Sequence, residues 1–160
     1  MTESDTTAAP AVDRATVTIA APPEAVWDLV TDISRMGEWS PETTSCRWLG
    51  RRQGPEVGAR FVGFNKRGWA RWATTVRVVE AERGRSFAFR VDGIGVRWGY
   101  VFEPDGDGTR LTETRDVSGA RIPVVKALSV FVGGMDGHAD ELRAGMQATL
   151  ERIKAAAEAA

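Results

Sequence analysis

The stretch DGHADELRAGMQATLERIKAAA, residues 136–157, sets the terms for the rest of the chain. Ala139, Leu142, Met146, Leu150 and Ile153 recur at spacings of three and four, which puts them on one face of a helix. Arg143, Gln147, Glu151 and Lys154 fall on the opposite face. Asp136 is placed to cap the start, and Asp140 and Glu141 suit the positive end of the helix dipole. A helix of about twenty residues rises roughly 30 Å, enough to cross a small domain. Its apolar stripe needs a partner surface.

Upstream, the chain supplies that surface as strands. Ala15–Ala20 alternates like a strand, and Pro22-Pro23 ends it and can open a helix over Glu24–Thr31. Asp32 or Ser34 can cap a second short helix through Met36, with Gly37 as its stop. Glu38–Glu42 reads as neither helix nor strand, because Pro41 biases Ser40 toward an extended shape. Six strands follow, over Thr43–Leu49, Arg60–Lys66, Ala70–Ala81, Ser86–Val91, Val96–Glu103 and Thr109–Val117. Residues 50–58 form a loop, and tight turns such as Asp105-Gly106-Asp107-Gly108 join the later strands. Successive hairpins imply an antiparallel meander that can curl around the final helix. The expected class is α+β, with one domain over residues 15–158 and a disordered tail over 1–14.

Strand parity predicts which side chains point inward. Arg71 and Arg77 share one face of their strand, so Trp72, Thr74, Val76 and Val78 take the other. The same reasoning turns Phe87, Phe89, Val91, Val96, Trp98, Tyr100 and Phe102 inward. The last strand is different. If Leu111 points in, so do Glu113 and Arg115, and an acid and a base on an apolar face are costly unless paired or wet. They either pair with each other, sit one register off, or line a hydrated cavity and contact a polar ligand group.

On the helix, His138, Leu142, Gly145 and Thr149 form a second line. Glycine in a helix interior costs about 1 kcal/mol relative to alanine, so Gly145 implies a close neighbour or room for a ligand. His138 is the only histidine; it is either a solvated or capping residue or a general base needing a partner such as Glu113. Residues 118–135 (SGARIPVVKALSVFVGGM) are unusually apolar for a connection. They read as a lid over a cavity, a core-sealing segment, or an exposed face for a membrane or partner.

Composition limits the function classes. The 160 residues are 42% hydrophobic and 27% charged, as expected of one soluble globular domain. A net charge of −1 gives no global basic field for nucleic acid. The cations are almost all arginine, which suggests a GC-rich bacterial genome. A single cysteine, Cys46, excludes an internal disulfide, and one cysteine with one histidine disfavours a zinc site. Asp105, Asp107 and Asp116 mimic part of a calcium loop, but Arg110 stands where that loop needs glycine. Neither a metal nor a cofactor is expected. There is no transmembrane-length apolar run and no signal-peptide pattern, so the expected location is the cytosol. A monomer or a homodimer is expected.

The order of elements, with VTIAAPPEAVWDLVTD at 17–32, GEWSPE at 37–42, the pattern over 57–91, YVFEPDGDGTRLTET at 100–114 and GMQATLERIKAAAE at the end, resembles the helix-grip fold. It is similar to the SRPBCC superfamily, also called START-like or polyketide cyclase/dehydratase-like. The resemblance implies a deep cavity between the curled sheet and the last helix. It implies a lipid, sterol, polyketide or other apolar ligand, with cyclase or dehydratase chemistry in some members; the alternatives are a non-catalytic lipid carrier or sensor, or an interaction protein with a vestigial cavity. Trp39 would lie beside the cavity. Arg115, Tyr100 and Thr74 would stand in for the arginine, tyrosine and hydroxyls that position a reactive chain. The expected ligand contacts are Trp39, Trp72, Thr74, Phe89, Trp98, Tyr100, Glu113, Arg115, Met135, His138, Leu142, Gly145 and Met146, with Tyr100, Glu113, Arg115 and His138 as catalytic candidates.

Overall fold

The computed structural model describes residues 12–121, 123 and 138–160. The strands are β1 (Val12–Ile19), β2 (Thr43–Leu49), β3 (Arg60–Arg67), β4 (Ala70–Glu82), β5 (Ser86–Val91), β6 (Arg97–Asp105) and β7 (Gly108–Asp116). The helices are α1 (Pro23–Thr31), a 3₁₀ turn (Ile33–Arg35), α2 (Met36–Trp39) and α3 (His138–Glu158). All seven strands form one antiparallel sheet in the order β1-β7-β6-β5-β4-β3-β2. This is the α+β helix-grip arrangement expected from the sequence. Among the described residues no helix is long and apolar enough to cross a membrane.

The sheet order explains the position of α3. A ten-residue loop joins β2 to β3, shorter turns carry the chain on to β7 one strand at a time, and β1 pairs along β7 at the far edge. The α1–α2 segment spans between the two edges of the sheet. Helix α3 packs mainly on β1, α1 and α2. Leu150 and Ile153 are buried there with Ile19, Val26 and Ile33. Burying a side chain of this size contributes about 1.5–3 kcal/mol. The middle strands curl past the helix instead of lying flat against it, and space remains between them.

Two irregularities shape that space. A bulge between Thr43 and Ser45 shifts the β2 register, and another between Val78 and Glu80 bends β4. Edge-on contacts Trp48–Phe61 and Phe61–Phe89, with ring centroids 5.5 and 5.3 Å apart, brace the concave wall across β2, β3 and β5.

The structure corrects three boundaries. Strand β1 begins at Val12, so residues 12–14 are not tail; they pair with β7 through Asp116, Arg115 and Thr114. Glu38 and Trp39 are helical, not irregular, and Gly37 lies inside α2 instead of ending a helix. The glycine is needed for contact: a Cβ at position 37 would lie 2.1 Å from the Thr44 carbonyl oxygen. Its role is to let α2 press on β2, a long-range demand that local propensity does not reveal. The 3₁₀ turn is capped by Asp32, whose carboxylate accepts from the Ser34 amide. Asp136 and most of the apolar 118–135 segment lie outside the described residues.

Candidate functional site

The space between sheet and helix is a cavity of about 610 Å³. That is the size of a pocket for a drug-sized molecule. Phe61 from β3, Trp72, Thr74 and Val76 from β4, Phe89 and Val91 from β5, and Trp98 and Tyr100 from β6 form its sheet wall. Period-two alternation places them there, since Arg71, Arg77, Arg90 and Val101 take the outer face. Leu142, Gly145, Met146 and Thr149 form the helix wall. Met36, Trp39, Ser40 and Pro41 come from α2 and its exit.

Gly145 meets no crowding among the described residues. A Cβ there would find Pro41 Cγ at 3.6 Å, an ordinary contact. Its carbonyl accepts a hydrogen bond from Thr149 Oγ1 at 2.8 Å. Of the two readings of Gly145, the geometry therefore favours room beside the helix over a forced backbone approach.

The inward acid and base find different partners from each other. Glu113 and Tyr100 are opposite one another in the β6–β7 register. The Tyr100 hydroxyl donates to Glu113 Oε1 at 2.9 Å. Glu113 is 3% exposed and lines the cavity, and its Oε2 is the one buried side-chain polar atom without a hydrogen-bond partner among the described residues. Burial raises the Glu113 pKa to about 8, and the Tyr100 hydrogen bond offsets only part of that. Burial, then the Glu113 charge, pushes the Tyr100 phenol well above its ordinary range.

Arg115 does not line the cavity, which corrects its place in the expected site. Its cross-strand partner is Asp13 of β1. Arg115 Nη2 donates to Asp13 Oδ2 at 2.5 Å, and Arg143 Nε of α3 donates to Asp13 Oδ1 at 2.7 Å. Burial opposes ionisation of Asp13, but the hydrogen bonds from Arg143 and Arg115 outweigh it and hold the carboxyl below its usual range. This three-residue cluster ties β1, β7 and α3 together instead of facing a ligand.

Of the other expected contacts, Trp39, Trp72, Thr74, Phe89, Trp98, Tyr100, Glu113, Leu142, Gly145 and Met146 all line the cavity. Met135 and the side chain of His138 lie outside the described residues. Sequence reasoning missed the rim. Glu42, Lys66, Arg67, Gly68 and Glu141 lie along it, and the Arg67 guanidinium grips the Glu141 carboxylate through two hydrogen bonds of 2.7 and 2.9 Å. These two residues are 74 positions apart, and no local signal links them. Cys46 was also missed as a lining residue, although its strand parity was available. Burial raises its thiol pKa to about 11, and its Sγ lies 3.6 Å from Met36 Sδ.

A family model described as polyketide cyclase / dehydrase and lipid transport matches residues 12–158. The chain belongs to this family. Among proteins of curated function none matches it. The solution structure of a polyketide cyclase-like protein from Corynebacterium glutamicum shares 32% identity over 92% of this chain and 91% of that one, with a TM-score of 0.59. A Thermus thermophilus protein is 19% identical over 92% and 97% of the two chains, with a TM-score of 0.71. The di-domain ARO/CYC StfQ from the steffimycin biosynthetic pathway aligns with 93% of this chain and 51% of its own, at 14% identity and a TM-score of 0.72. These last two likenesses establish shared architecture.

Proposed function

We propose that the protein binds a hydrophobic small molecule, polyketide-, lipid- or sterol-like, in the cavity between the sheet and α3. The observation that carries this reading is the cavity itself: about 610 Å³, walled by Phe61, Trp72, Phe89 and Trp98, with one buried polar pair. Apolar walls supply affinity through burial, and a few fixed polar groups supply orientation. A space of this size supports ligand binding over a role in which the cavity is vestigial.

A second reading, cyclase or dehydratase turnover, is favoured by the Tyr100–Glu113 pair. A buried carboxyl whose pKa lies near 8 can give or take a proton near neutrality, which acid–base chemistry on a β-ketone chain requires. Confinement of a flexible chain would supply the rest of the barrier reduction. Under this reading Glu113 and Tyr100 are the catalytic residues.

The test has two arms. Trp39, Trp72 and Trp98 line the cavity, so a ligand that enters it should quench intrinsic fluorescence. Native mass spectrometry of freshly purified protein should show a bound apolar small molecule. Absence of both signals with apolar probes would overturn the binding reading. A carrier leaves a poly-β-ketone substrate unchanged, whereas an enzyme converts it and loses turnover in Tyr100→Phe while still binding.

A further inference from the structure

Glu113 has one oxygen more than the protein uses. Oε1 accepts from Tyr100, and Oε2 has no partner among the described residues. A carboxylate this deeply buried, with a single neutral donor, would carry a largely uncompensated charge, which is costly. Among the described residues the neighbours supply no compensation: β3 brings Lys66 and Arg67 to the cavity lining, but only burial and the Tyr100 hydrogen bond act on the Glu113 carboxyl. On β1 the residue opposite Glu113 is Ala15, and Asp13 two positions along is taken up by Arg115 and Arg143. On β6 the facing group is Tyr100, and the only titratable group that β2 brings to the cavity is the Cys46 thiol. Strands β4 and β5 present Trp72, Thr74, Val76, Phe89 and Val91, none of them charged. Helix α3 presents Leu142, Gly145, Met146 and Thr149 beside the cavity, with its one lining charge, Glu141, at the rim on Arg67. The low-cost state is the neutral acid, with Oε1 as the accepting oxygen and the proton on Oε2.

Resting on the binding reading above, the geometry points to Glu113 as a neutral carboxylic acid that donates a hydrogen bond from Oε2 to a carbonyl oxygen of the bound ligand. Glu113 then sets specificity: an apolar molecule whose buried end carries a ketone or similar acceptor is preferred over a hydrocarbon of the same shape. Tyr100 is the positioning residue, since its hydroxyl occupies Oε1 and leaves Oε2 as the donor. The raised Glu113 pKa agrees with this state near neutral pH.

The test uses 2-acetylnaphthalene and 2-ethylnaphthalene, matched in size and differing in the carbonyl, titrated by tryptophan quenching into the full chain. At about pH 6.5 the ketone should bind roughly two- to tenfold more tightly, the usual net worth of one neutral hydrogen bond. At about pH 9.5, where Glu113 has lost its proton, the preference should vanish or invert, because a carboxylate repels the carbonyl oxygen. Glu113→Gln retains a donor and should keep the preference at both pH values. Glu113→Leu should lose it at both while still binding the hydrocarbon; circular dichroism checks that both variants are folded. Equal binding of the two naphthalenes at about pH 6.5 overturns the donor role and leaves the binding reading standing. A preference in the unaltered protein that ignores pH overturns it as well. Failure of both probes to bind any folded form overturns the binding reading and this inference together.

Discussion

Gly145→Ala separates two accounts of the final helix with one methyl group. Gly145 sits in the interior of α3, and its φ is not positive, so alanine fits the backbone. The added Cβ would meet Pro41 Cγ at 3.6 Å and, among the described residues, nothing closer outside its own helix turn. No described neighbour has to move. The helix-propensity gain of about 1 kcal/mol should therefore appear nearly in full. For a chain of this length that corresponds to a rise in Tm of about 2–4 °C, readable by differential scanning calorimetry. Ligand affinity should change by less than about threefold, since one methyl removes little of the cavity. Gly145→Leu carries the same logic further. The larger side chain projects beside Leu142 and Thr149 into the cavity, and affinity for an apolar probe should fall by about tenfold or more while the fold persists. A drop in Tm for Gly145→Ala would refute the reasoning, because it would mean that another segment presses on this turn. Unchanged probe binding by Gly145→Leu would place the ligand away from the helix.

Three further outcomes follow from the buried polar groups. Glu113 has a folded pKa of about 8 against an ordinary carboxyl value near 4.5. Its neutral form stabilises the fold fully at low pH, and stability falls as pH rises from about 4.5 to about 8, then levels off. Urea unfolding across that window should show a loss on the order of a few kcal/mol that Glu113→Gln abolishes; an equal slope in the variant counts against the buried acid. Asp13→Ala strands Arg115, whose side chain is 14% exposed, and it also releases the half-exposed Arg143. The expected cost is about 2–4 kcal/mol by chemical denaturation, and it should shrink in Asp13→Ala/Arg115→Ala; additive losses would deny the coupling. Cys46, raised to about 11 by burial, should react with iodoacetamide on the order of a hundredfold more slowly than an exposed thiol. A ligand in the cavity should slow it further, and alkylation at the free-thiol rate would contradict its burial.

The architecture was legible because its signals are local and periodic. The 3,4 spacing of Met146, Leu150 and Ile153 gave the helix, and the arginines at alternate positions of β4 and β5 gave the inward face, so Trp72, Phe89, Trp98 and Tyr100 could be placed by parity alone. What the period could not supply was cross-strand register. Parity turned both Glu113 and Arg115 inward, but it could not say that Tyr100 stands opposite Glu113, or that Asp13 stands opposite Arg115. The decision between a mutual ion pair and two separate partnerships belongs to the pairing of β1, β6 and β7. Gly37 misled for the same reason: its task is set by the Thr44 carbonyl across a helix–strand contact, not by its own turn.

The opening stretch, 136–157, shows the division most clearly. Its sequence determined a long helix with one apolar face, because side chains three and four apart must share a face. Only the tertiary structure decided how that face is divided. Leu150 and Ile153 are buried in the core cluster with β1 and the short helices, while Leu142, Gly145 and the buried Met146 line the cavity. The physical reason is the curl itself. A twisted, bulged antiparallel sheet cannot touch a straight helix along its whole length, and the gap it leaves is the cavity.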